Sequence, residues 1–127
     1  MSEQRAFDYV IVQVVPRVDR DERVNAGVIV FCPAAAWIGC RFVDDETRWR
    51  ALAPGMDTAA VRRQLAAIQA VVDGDPAAGE IARLTPSERF HWLSAPRSTV
   101  VQPGLAHAGV CDDPAAALTR IFRTSVA

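Results

Sequence analysis

The sequence predicts an α+β fold: a small antiparallel sheet of about four strands, covered by three or four helices, in a single domain. Three observations predict it. Two nearly continuous apolar runs, Phe7–Val15 and Val24–Cys32, are followed closely by a third, Trp37–Val43, over connections too short for a helical crossover. Beyond them the apolar spacing changes to threes and fours, with a capping residue before each stretch. One more short run, residues 98–102, returns as a strand late in the chain.

A length of 127 residues suits one domain. Folding at this size buries roughly two thirds of the surface of the unfolded chain, enough for a core without staples. Half the residues are apolar and the net charge is −1, a soluble globular balance. No apolar run reaches the roughly 18 residues of a membrane span, and residues 1–6 read as a polar tail rather than a signal peptide. Cys32, Cys40 and Cys111 form an odd set with no C-x-x-C pair, so buried reduced thiols and a cytoplasmic location are expected. All fourteen basic residues are Arg, yet they are balanced by fifteen acids, which argues against a nucleic-acid binder.

In chain order, the run 7–15 is apolar on both alternating faces after Asp8, as in a central strand covered on both sides. Gln13 is its exception, a satisfied core amide or the floor of a pocket. Pro16 ends the strand, and the mixed-charge link 16–23 reads as a solvated loop with local ion pairs. In 24–32, Asn25 and Gly27 are expected on one face. Gly27 marks either a bulge or the close approach of a ligand or partner, and the bulge is preferred because it needs no ligand. The connection 33–36 suits a hairpin, in which Cys40 opposes Ile29, so Cys32 and Cys40 do not meet. The third strand places Ile38, Cys40 and Phe42 on one face and Arg41 on the other.

The acids 44–46 open one or two helical turns that Pro54-Gly55 stops. Asp57 caps the clearest helix, 58–73, whose Val61, Leu65, Ile68 and Val72 form a core stripe, with Gly74 just past its end. Asp75-Pro76 opens a short helical piece through Leu84. Thr85 and Glu88 form a capping box for a helix over 87–93, facing inward with Phe90 and Leu93. The strand 98–102 ends at Pro103-Gly104, and 105–111 is extended or irregular. Asp112-Asp113-Pro114 then caps a helix over 114–124, with Leu118, Ile121 and Phe122 toward the core.

Four constellations could carry chemistry. Metal binding by His107, Cys111 and Asp112 needs a helix that Gly109 and the following caps oppose, so no metal or cofactor is expected. A nucleophile set could pair Ser98 or Cys111 with His91 or His107, read as a hydrolase or transferase using His107, but no nucleophile-elbow frame surrounds either nucleophile. Arg23, Arg97-Ser98-Thr99 and His107 could converge as an anion site, Arg offering a planar fork to carboxylate or phosphate. Internal pairing of Arg23 or Arg97 with Glu22, Asp44 or Asp112 is the blander alternative. Finally, so apolar a sheet must hide an edge or face, by self-association or under a partner.

Residues 22–28 (ERVNAGV), with 90–103 (FHWLSAPRSTVVQP) and His107-Ala108-Gly109, resemble a bacterial family, the domain of unknown function 3037. The likeness runs from Tyr9 to the last helix. The family carries no established activity, so the resemblance implies an architecture rather than a reaction. It implies that Arg23, Asn25, Gly27, Arg97, Ser98, Thr99, Gln102 and His107 are the family's own polar and glycine positions, and these overlap the anion constellation. Gly104 departs from the small polar residue the family tends to carry. Members are often encoded beside a toxin-type serine/threonine kinase, which implies a protein partner of that kind. The expected function is therefore an accessory or binding protein that docks to a protein partner, or to a second copy, and holds a small anion at Arg23, Arg97 and His107. No catalytic residues are assigned; the hydrolase or transferase is the alternative.

Overall fold

The computed structural model describes residues 4–127, Val18 by its backbone alone. Five antiparallel strands and four helices realise the expected α+β class. The strands are β1 (Arg5–Val14), β2 (Val24–Cys32), β3 (Trp37–Phe42), β4 (Val101–Pro103) and β5 (His107–Cys111). The helices are α1 (Glu46–Leu52), α2 (Thr58–Val72), α3 (Pro86–Ser94) and α4 (Pro114–Ser125). The sheet runs β3-β2-β1-β4, with β5 following β4 along the same side of β1.

β1 is apolar on both faces because helices cover the whole of one and the Phe7 end of the other. On the first face Val10, Val12 and Val14 join Ile29, Phe31 and Val101 beneath Trp49 of α1, Val61 and Leu65 of α2, and Phe90 and Leu93 of α3. On the second, Phe7, Val28, Val30, Cys32 and Cys111 pack against Leu118, Ile121 and Phe122 of α4. Three helices thus share one face and a single helix serves the other. Ile38, Cys40 and Phe42 point to the first face, while Arg41 lies over the Phe122 ring on the second, 4.5 Å from its centroid.

The β2–β3 register pairs Ile29 with Cys40 and Cys32 with Trp37, so those two thiols are apart as expected, and all three cysteines are free. Between β1 and β2 the register slips: Val12 opposes Gly27 and Gln13 opposes Asn25, leaving Ala26 as the extra residue. This is the bulge expected at Gly27, with a consequence that alternation alone does not give. The extra residue breaks the period of two, so Asn25 and Gly27 do not share a face. Gly27 instead lies under the ring of its cross-strand neighbour Phe42, where an added Cβ would sit 2.0 Å from Cδ1.

The return strand differs more. Residues 98–100 stay outside β4, where the Thr99 hydroxyl donates to the Val101 carbonyl at 2.6 Å and holds a bend. Pro103-Gly104 does not end the ladder. Gly104 N–H donates to the Ile11 carbonyl at 2.8 Å and pairing resumes at His107 opposite Tyr9, so residues 104–106 bulge over Val10 and Ile11. An edge strand tolerates the proline because its missing donor costs no inner ladder bond. β1 begins at Arg5 rather than Phe7, since Arg5 and Ala6 pair with Cys111 and Val110; of the expected tail, residues 1–3 lie outside the described residues.

Asp45, Asp57 and Asp113 each accept a backbone N–H at their helix starts, and Thr85 with Glu88 forms the reciprocal box. α2 ends in a Schellman motif: Gly74 at φ 68° donates to Val71 O and Asp75 to Ala70 O. The piece after it is two separate 3₁₀ turns, Pro76–Ala78 and Ile81–Arg83, divided by Gly79 at φ 100°.

Candidate functional site

Gln13 is the hub of a polar network on the second face. Its Oε1 accepts from Arg23 at 3.2 Å, and its Nε2 donates to Asn25 Oδ1 at 3.2 Å. Asn25 Nδ2 then donates to the Ser125 carbonyl at 3.0 Å, while Arg48 donates to the Val126 carbonyl at 3.0 Å. Together these two side chains hold the carbonyls at the C-terminal end of α4, where donors and positive charge are favoured. Arg23 also pairs with Asp21. Arg17–Asp19 at 2.9 Å and Arg20–Glu22 at 2.5 Å complete the local pairs expected of this loop. Gln102 lies opposite Gln13 on β4, its Nε2 buried with no hydrogen-bond partner among the described residues.

Further along the same face, Tyr9 and His107 are cross-strand partners whose rings stack at 5.1 Å. α4 lies over β2 and β3, so Tyr9, Ile11 and Gln13 on β1 are only partly covered and His107 is exposed. Leu105, in the bulge between β4 and β5, is 83% exposed.

Arg97 and Thr99 belong to the other side. They line a half-open groove of about 510 Å³ with Ile68 and Val71 of α2, Trp92 of α3 and Val101. The Arg97 guanidinium rests 4.5 Å from the Trp92 ring centroid and donates to the Trp92 carbonyl at 2.7 Å. Ser98 is exposed beside them. The expected single cluster is therefore divided by the sheet. Arg23, Asn25, Gln102 and His107 lie toward the second face, whereas Gly27, Arg97 and Thr99 lie toward the first. The gap considered at Gly27 is filled by Phe42.

The pairings of the alternative are also held apart. His107 and Cys111 are four residues apart on one strand, roughly 13 Å at ordinary strand rise. Ser98 precedes Val101, which pairs with Val14, whereas His107 pairs with Tyr9 five residues away. Burial pushes the Cys111 thiol up, with Cys32 nearby adding to it, and pushes Cys40 up to about 12, with Asp73 adding to it. Both thiols stay protonated at neutral pH, a poor state for nucleophile or metal ligand. Among the described residues no three His, Cys, Asp or Glu side chains gather as a metal site, and no helix is long and apolar enough to cross a membrane.

Two side chains gain roles that spacing did not suggest. Arg89, partly buried on α3, donates to Val71 O at 3.0 Å, Val72 O at 2.6 Å and Leu84 O at 3.1 Å, tying α3 to the end of α2. Trp92 is the shelf for Arg97. Their separation of five residues across the end of α3 was the only signal available in the chain.

These features define a small α+β protein with an open antiparallel sheet, three helices on one face and one on the other, and polar groups on both sides. Residues 9–126 match the family described as Protein of unknown function (DUF3037), and the chain belongs to that family. No curated protein and no solved structure matches the chain.

Proposed function

We propose that this protein is an accessory binding protein whose protein partner covers the open part of the second sheet face. One observation carries the reading: α4 lies chiefly over β2 and β3 and reaches β1 at Phe7, leaving Tyr9 and Ile11 partly covered beside an exposed His107 and a Leu105 that is 83% exposed. A leucine held out on a bulged edge, next to an aromatic–imidazole stack, supports docking by apolar contact with a polar rim. His107 would meet an acidic group of the partner. Arg23 is already engaged by Asp21 and Gln13, and Arg97 faces the other way. The partner that the family likeness implies is a toxin-type serine/threonine kinase encoded nearby. Three free thiols suit a reducing compartment such as the cytoplasm.

Co-purification with that kinase tests the proposal. Leu105→Glu, in a chain shown by circular dichroism to be folded, is expected to abolish retention and His107→Ala to weaken it, while Arg97→Ala leaves it unchanged. Retention that survives Leu105→Glu would overturn the placement. A specific observation favours one other occupant: the outer edge of β5 has no strand partner among the described residues, and its Val110 is 62% exposed. A dimer in solution that Val110→Lys converts to monomer would assign this edge to a second copy of the chain.

A further inference from the structure

The groove on the first face is independent of that docking surface. Its walls are mostly apolar, Ile68 and Val71 from α2, Ile81 from the second 3₁₀ turn, and Val101 from β4, with Gln64 and Thr99 as uncharged polar members. At about 510 Å³ it falls within the roughly 300–1,000 Å³ of small-molecule pockets. Among the described residues, Arg97 is the one charged side chain in its lining. Among the described residues no carboxylate lies within ion-pair distance of that guanidinium, and its one hydrogen bond goes to the Trp92 carbonyl through Nη2. Stacking on Trp92 and that bond hold the group in place, so little rotamer freedom remains to be lost on binding. A held cation with donors to spare at the rim of an apolar groove is complementary to a singly charged head on an apolar body.

We propose that this groove binds a small apolar monocarboxylate, its carboxylate on Arg97 and its body along Ile68, Val71 and Ile81. A carboxylate fits the planar fork with two parallel bonds, and a single charge matches the single cation. A phosphate, with nearly two charges, would leave one uncompensated. A peptide is a poorer occupant, because α2 supplies much of the lining and its backbone groups are spent within the helix, so main-chain pairing along that wall is not on offer.

Calorimetric titration of the whole chain with sodium decanoate, below its micelle threshold, tests this against decanol and acetate. Saturable one-to-one binding of decanoate is expected, with decanol weaker by about tenfold or more, as for loss of a charge-assisted bond. Acetate, which lacks the body, should show no saturation. Arg97→Gln should weaken decanoate by a similar factor without moving decanol, and Ala67→Trp, filling the groove from an exposed position on α2, should abolish both. Leu105→Glu should leave decanoate binding intact, so failure here and failure of partner docking are told apart. The proposal falls if the wild-type chain does not saturate with decanoate, if decanol binds as well as decanoate, or if folded Arg97→Gln and Ala67→Trp both bind decanoate normally. The comparison between the two wild-type ligands decides the matter even if a variant fails to fold.

Discussion

A single methyl group at Gly27 would place a carbon 2.0 Å from the Phe42 ring and 2.8 Å from the Arg41 carbonyl oxygen. Neither can retreat cheaply, since the ring packs on the core and the oxygen belongs to the neighbouring strand. Gly27→Ala is therefore expected to destabilise by about 1–3 kcal/mol in urea unfolding, the usual cost of overpacking. A double-mutant cycle with Phe42→Leu should be non-additive, the pair costing less than the sum, because a smaller side chain relieves the closest contact. Glu46 shows a different kind of local control. Arg62, and after it Arg50, hold its carboxyl down from 4.5 to about 2. A carboxyl lowered on folding contributes stability that is complete above its ordinary value and is lost as pH falls through about 2. Unfolding midpoints measured from pH 6 down to pH 2 should fall less steeply for Glu46→Gln than for the wild type below about pH 4.5.

At the scale of elements, one side chain adds a polar tie to the apolar packing between α2 and α3. The Schellman motif satisfies Ala70 and Val71 carbonyls, and Arg89 adds donors to Val71, Val72 and Leu84 from the next helix. Its charge also lies at the negative end of the α2 dipole. Arg89→Ala is expected to cost about 1.5–3 kcal/mol, the range for hydrogen bonds to a charged group, and Arg89→Lys to recover only part of it. Unfolding by circular dichroism reads both. α4 is anchored in the same manner at its end, by Asn25 to Ser125 O and Arg48 to Val126 O. Asn25, singled out by the family resemblance as a candidate ligand group, thus has a structural task in this fold. β4 and β5 act as one strand with a bulge, and that bulge is what places Leu105 in water.

Across the whole molecule, the sheet is a partition. Three helices on one face and one on the other leave an open groove beside Arg97 and an open strip along β1, and the two do not communicate. The partner-docking and carboxylate-binding proposals are accordingly separable: Leu105→Glu should affect only the first, and Arg97→Gln only the second.

The positions of β1 to β3, the caps at Asp57, Thr85 and Asp113, and the pairing of Cys40 with Ile29 were all legible in the chain, because apolar period and capping chemistry act over a few neighbouring residues. Which residues share a face across a bulge was not. One extra residue at Ala26 reverses the alternation between Asn25 and Gly27, and a second bulge at 104–106 carries the edge strand past Pro103 to His107. Whether Arg23 and Arg97 meet depends on those slips and on where α3 delivers the chain. Both are settled by pairing between distant segments, so only the tertiary structure decided that the two arginines stand on opposite sides of the sheet.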